Sequence, residues 1–317
     1  MKTNNKTTGH DYGKFDFVSK IGLFGGFSIA IVVISLLYLA IRGIPYGIDF
    51  AGGTELQVKF GQEVSIEQVR AVAEKQNLKN VGIQGYGSTS EYIVRFQTPT
   101  GATDKEANEN QNKAVTGLKD SIMTQLAASQ PEIRRVDSVG PQVGAELKRN
   151  GFLAVFYCLL VILIYVALRF DYDFAPGAVL CLAHDAIVTM AIFVATGREV
   201  NVPILAAILT LIGYSLNDTI VVFDRIRETK GEYKERGTRF IINKSINDMF
   251  ERTLITSGTV FASALSLYCF AGGTVSDIAF AMCIGIIFGT YSSIYVAAPI
   301  ILLMEKIKGT GVQKVIA

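Results

Sequence analysis

The chain has 317 residues, half of them hydrophobic and 18% charged, with a formal net charge of +2. That balance excludes a nucleic-acid surface and a large soluble core, and points to a polytopic α-helical membrane protein. Cys158, Cys181, Cys269 and Cys283 all fall in apolar runs, which argues against a disulfide framework, and no Cys/His cluster has metal-ligand spacing.

A bilayer-crossing helix needs ~20 mostly apolar residues, and six segments qualify. After a polar tail at 1–20, the first span covers 21–41. Its run is too long for a signal-peptide core and no clean cleavage site follows, so it is expected to be a retained anchor. The stretch 42–150 is an insert with alternating elements. "TELQVKF" (54–60) alternates like a strand, and "SIEQVRAVAEKQNL" (65–78) is helical, with Ser65 and Gln68 at capping-box spacing. "VGIQGYG" (81–87) and "EYIVRFQ" (91–97) read as strands, 104–127 as a helix and 133–140 as a last strand. That β-α-β-β-α-β order predicts a ferredoxin-like α+β domain between spans one and two.

The remaining spans are expected at 151–170, 175–196, 202–223, 254–272 and 278–304, with a charged loop at 224–252 and a tail at 305–317. Within the loop, 240–254 predicts a short amphipathic surface helix feeding span five. Lys2, Lys6, Lys14 and Lys20, eight Lys/Arg between Arg225 and Arg252, and Lys306, Lys308 and Lys314 all fall on one side. The positive-inside bias therefore places both termini and the 224–252 loop in the cytoplasm, and the inserted domain outside. Small residues in spans five and six, among them Gly285, Gly289, Ser292 and Ser293, suit close approach of neighbouring helices, including those of a partner.

Polar residues inside the apolar runs carry the functional argument. An ionised carboxylate at membrane depth costs roughly 2.5–3.5 kcal/mol on insertion scales, so a partner or a proton must offset it. Asp218 lies in span four, with Tyr214 and Ser215 on the same helical face and Asn217 beside it. Asp185 lies in span three beside His184, and Arg252 opens span five ahead of Thr253, Thr256 and Ser257. An Arg252–Asp218 pair is geometrically open. The plainer alternative is that these groups hold helices together by hydrogen bonds. Gly-x-Gly-Asp, HExxH, GxSG and P-loop patterns are absent, so protease and ATPase readings are poor and no enzyme is expected. A proton-coupled device remains, with no cofactor beyond the coupling ion, H⁺ or Na⁺.

"GIDFAGGTEL" (47–56), "LAHD" (182–185), "IGYSLNDTIVVFDRIRE" (212–228), "RTLITSGT" (252–259) and "GTYSSIYVA" (289–297) together resemble the SecD/SecF family, in its SecF branch. The resemblance covers nearly the whole chain. It implies an RND-type half of six spans that pairs with SecD, and partners that include the SecYEG channel, with YajC and YidC as further candidates. The implied activity is use of the proton motive force in late steps of preprotein export across the bacterial inner membrane. In that family the span-four aspartate and the arginine opening span five are functional, which carries over to Asp218 and Arg252, and Asp185 matches the "AHD" motif. A stand-alone RND-type transporter of small molecules and a non-transporting scaffold are the rival readings.

Overall fold

The computed structural model describes residues 12–76, 78–86, 88–97, 104–170 and 174–307. Much of the two expected tails, with Lys2, Lys6, Lys308 and Lys314, lies outside the described residues. Helix α1 (Ile21–Arg42) and a single turn, α2 (Ile48–Ala51), lead into the inserted domain. The domain runs β1 (Gly53–Phe60), α3 (Ile66–Glu74), β2 (Lys79–Tyr86), β3 (Ser88–Gln97), α4 (Asp104–Gln125) and β4 (Pro131–Val139). Its strands pair antiparallel in the order β2-β3-β1-β4, the ferredoxin-like topology that the alternating pattern predicts.

Side-chain alternation decides what each face of the sheet meets. Leu56, Val58 and Phe60 of β1, with Val94 and Phe96 of β3, pack on Val69, Val72, Leu118 and Ile122 of the two helices. Ser65 closes the start of α3 with a full capping box to Gln68. The other face is polar, and Glu55 and Arg95 sit opposite each other in register, 2.7 Å apart.

Helices α5 (Pro141–Arg169), α6 (Ala175–Ala195), α7 (Val202–Glu232), α8 (Thr238–Phe270) and α9 (Gly273–Ser292) follow. A π turn at 293–297 carries α9 into α10 (Ala298–Ile307). Counting α9 and α10 as one crossing and adding α1, the described residues hold six helices long and apolar enough to span a bilayer. The chain is a multi-pass membrane protein. Helix α6 is the most enclosed of the six, whereas α1 and α5 present apolar side chains such as Leu23, Ile34, Phe152 and Leu168 outward. Such faces suit lipid tails, since each backbone group is already satisfied inside its helix.

Several helices outrun their apolar stretches. Helix α5 starts at Pro141 rather than at 151, because Gly140 and Pro141 suit a helix start and the polar residues that follow are helix-compatible. The expected surface helix at 240–254 and the fifth span are one continuous rod, α8. Hydropathy marks where lipid begins, and a helix has no reason to stop there.

The start of α8 is pinned to the chain's N-terminal segment. Buried Asn243 accepts the backbone N–H groups of Phe17 (2.8 Å) and Val18 (3.1 Å) and donates to the Phe15 carbonyl (3.1 Å). Asn247 brackets Phe15 from the next turn. Replacing Asn243 with Ala strands two buried donors, at a local cost of about 2 kcal/mol. Hydrogen exchange at Phe17 and Val18 is then expected to speed up roughly 30-fold, with the inserted domain unchanged. Unchanged protection would show that the contact holds nothing in place.

The domain is set on the bundle by the "GIDFAGG" stretch. Backbone bonds tie Gly47 to Val200 and Val200 to Pro45, and the Asp49 carboxylate accepts the Val202 N–H at the start of α7. Gly52 and Gly53 have φ of +71° and +136°, in the region that favours glycine. A Cβ on Gly52 would stand 2.9 Å from the Pro141 Cα, and one on Gly53 would stand 2.8 Å from the Phe96 carbonyl oxygen.

Candidate functional site

Helices α6, α7, α8 and α9 bring two carboxylates into the middle of the bundle. Asp185 is 0% exposed and Asp218 3%. A buried charge needs compensating donors, and the two groups are supplied differently. Asp185 Oδ2 accepts from the hydroxyls of Ser215 on α7 (2.5 Å) and Ser292 on α9 (2.8 Å), while Oδ1 bonds His184 Nδ1 at 2.9 Å. Asp218 Oδ2 accepts from Ser257 on α8 at 2.9 Å, and the Tyr214 hydroxyl lies 3.5 Å from that serine.

The two are joined through α7. Ser215 sits one turn from Asp218 on the same helix, yet its hydroxyl goes to Asp185. Thr219, next to Asp218, contacts Cys181, whose thiol donates to Ser292 at 3.1 Å. The space for this comes from α9. A Cβ on Gly289 would lie 3.3 Å from Ser215 Cβ and 3.7 Å from Asp185 Oδ2. Gly285 leaves room for Leu211 of α7. These two glycines, expected to serve contacts that include a partner's helices, are used inside the chain.

Among the residues expected to support Asp218, two fall elsewhere. Asn217 is exposed, because neighbours on a helix point about 100° apart and Asp218 takes the inward direction. Thr256 fails for the same reason beside inward Ser257: its hydroxyl returns to the carbonyls of Arg252 and Thr253, each at 3.0 Å. Arg252 is exposed on α8, and among the described residues it closes no ion pair with Asp218. Ser292 and Cys181 take part although only their small size was legible in the sequence. Their role requires α9 to cross α6, 107 positions away along the chain.

A second polar cluster lies where the open face of the sheet meets the bundle. Arg95 reaches both Glu55 and Glu199, each at 2.7 Å, and Arg198 pairs with Asp277. Burial works against the Arg95 charge, but the fields of Glu199 and Glu55 outweigh it and raise its pKa above the ordinary arginine value. Glu55, Arg95, Arg198 and Asp277 line a polar cleft of about 340 Å³ together with Gln84, Asn201 and Gly273. The described residues hold no group of three or more His, Cys, Asp or Glu side chains able to bind a metal ion.

Comparison with known proteins adds sequence and structural relatives. The family model "Protein export membrane protein SecD/SecF, C-terminal" matches residues 118–307, and that of the "SecD/SecF GG Motif" matches 38–64. The Protein translocase subunit SecF of Calditerrivibrio nitroreducens is 40% identical, over 92% of this chain and 95% of that protein. The same-named protein of Magnetococcus marinus is 39% identical, over 92% of each chain. The crystal structure of SecDF, a translocon-associated membrane protein from Thermus thermophilus, superposes with a TM-score of 0.78 at 31% identity. That match covers 92% of this chain but only 39% of the SecDF chain.

Proposed function

Because the chain belongs to the SecD/SecF family of protein export membrane proteins, we propose that it works as a SecF-type subunit with SecD, using the proton motive force in late preprotein translocation. The single observation that carries the coupling is Asp218, a carboxylate enclosed in the bundle with one hydroxyl donor and no paired cation among the described residues. Such a group is stable at membrane depth when protonated and needs help when charged. In this reading Arg252, on the same helix as Ser257, moves toward Asp218 when the proton leaves, since a nearby cation favours the ionised form. Asp185, already held by two serine hydroxyls and the His184 ring, keeps α6, α7 and α9 in register while α8 shifts.

Each proton crossing the potential releases about 2.3 kcal/mol per 100 mV. In the proposed cycle this energy moves α8 and α7 against the rest of the bundle. The Asp49, Arg95 and Glu199 contacts pass that movement to the domain, which then holds an emerging polypeptide against backsliding. In this reading the domain lies on the outer side of the bacterial inner membrane and both termini lie in the cytoplasm, which the Lys/Arg bias supports. The SecDF superposition supports SecD as the missing half, and SecYEG follows as the channel whose clients are handled.

Vesicles that contain this chain, a SecD partner, the SecYEG channel and a stalled preprotein test the reading. An imposed proton gradient, acidic on the domain side, is expected to accelerate completion of translocation, and a protonophore to remove the acceleration. Acceleration by a sodium gradient alone would transfer the role to Na⁺. Acceleration by neither gradient would refute ion coupling and favour the scaffold reading.

A further inference from the structure

An apolar groove of about 440 Å³ opens between α1 and α5. Phe152 and Phe156 of α5, each 59% exposed, stand on its lipid-facing side, and Leu39 of α1, Met190 of α6 and Leu205 and Ile208 of α7 complete the lining. The end of α1, the start of the apolar run in α5, the end of α6 and the start of α7 all face the inserted domain. The groove therefore lies where lipid chains give way to headgroups. Among the described residues that line it, Lys148 alone is charged.

Lys148 is half-buried, three residues before Gly151. Its ammonium stands 3.9 Å over the Tyr46 ring, a contact that favours a cation. That ring is itself fixed, because Tyr46 bridges Val200 and meets Phe50 edge-on at 5.9 Å. No carboxylate answers the charge. Asp49 accepts the Val202 N–H, and Lys148 closes no ion pair among the described residues. A cation held in place at the head of an apolar groove complements an amphiphile with a negative head. We propose that this groove is a binding site for a phospholipid of net negative charge, drawn from the leaflet on the domain side, with one acyl chain between α1 and α5 and its phosphate at Lys148. A phosphocholine lipid fits less well, because it brings its own cation beside Lys148. Tyr46 and Phe50 lie in the segment that seats the domain on the bundle, so an occupied groove fastens that joint by binding only its assembled form.

The chain contains no tryptophan, so one introduced at the groove reports on that place alone. Phe156→Trp puts the reporter eight residues along α5 from Lys148, about 12 Å, within reach of bromines in the middle of a bound acyl chain. Leu265→Trp, at a 41% exposed position toward the domain-side end of α8, is the control. The full chain in nanodiscs receives a small share of mid-chain brominated phosphatidylglycerol or brominated phosphatidylcholine. With Phe156→Trp, the phosphatidylglycerol is expected to quench at about one-fifth of the concentration the phosphatidylcholine needs, the effect of one lysine at the membrane surface. With Leu265→Trp the two should quench alike. Adding Lys148→Ala to Phe156→Trp should abolish the preference and leave quenching by phosphatidylcholine unchanged, which shows the groove intact, whereas Lys148→Arg should keep the preference. Equal quenching at position 156, an equal preference at 265, or a preference that survives Lys148→Ala would mean ordinary lipid contact and would overturn the site. Loss of the preference with Arg as well as with Ala would make Lys148 a packing residue and overturn it too.

Discussion

Asp218→Asn is expected to leave the fold intact and to reduce gradient-driven translocation to the rate seen without a gradient. The amide oxygen can still accept from Ser257, as Oδ2 does now at 2.9 Å, so stability should change by less than about 1 kcal/mol. What the substitution removes is the ability to take and release a proton. Asp185→Leu is the contrasting variant. It withdraws the acceptor shared by Ser215 and Ser292 and the partner of His184, at a cost of about 3 kcal/mol. Thermal unfolding in detergent and translocation in vesicles separate the two. The Asp185 variant should lose stability first, and the Asp218 variant activity alone. Full gradient-driven translocation with Asn at 218 would remove this carboxylate from the mechanism.

Gly52→Ala is expected to be the most damaging single-methyl change in the joint between domain and bundle. Its φ of +71° with ψ of 157° lies in a region open essentially to glycine alone, which disfavours any side chain by about 2 kcal/mol. The new Cβ would also lie 2.9 Å from the Pro141 Cα, and that atom belongs to backbone at the start of α5. Neither the domain nor α5 can yield locally, because Gly144 packs on the Gly52 backbone from the next turn. A total loss of about 3 kcal/mol is expected, seen as a lower unfolding temperature. Gly25→Ala is the control. It adds the same methyl to a helix where a Cβ meets nothing within 4 Å, and should be neutral or slightly stabilising. Equal behaviour of the two variants would show that the joint has slack.

Several features were legible because they are local. Period-two alternation in "TELQVKF" and the Ser65/Gln68 spacing depend on residues a few positions apart, and both elements form as expected. Asp218 and Asp185 stood out as charges within apolar runs, and both are buried. Their neighbours were less legible. Tyr214 and Ser215 lie on the face that helical spacing assigns, but Ser215 serves the other aspartate. Asn217 and Thr256 are adjacent in sequence to inward residues and therefore point elsewhere. Pattern reading finds which face is polar, and says nothing of which helix that face will meet.

The sequence by itself determined the number of crossings, the placement of a ferredoxin-like domain after the first of them, and the family. Hydropathy, alternation and capping are properties of short windows, and the motifs are contiguous. Only the tertiary structure decided that Ser292 and Ser215 hold Asp185, and that Arg252 closes no salt bridge with Asp218 although its charge reaches that carboxylate. Those outcomes depend on the rotation and crossing of helices up to a hundred residues apart, which are set by how glycines and hydroxyls fit across the bundle.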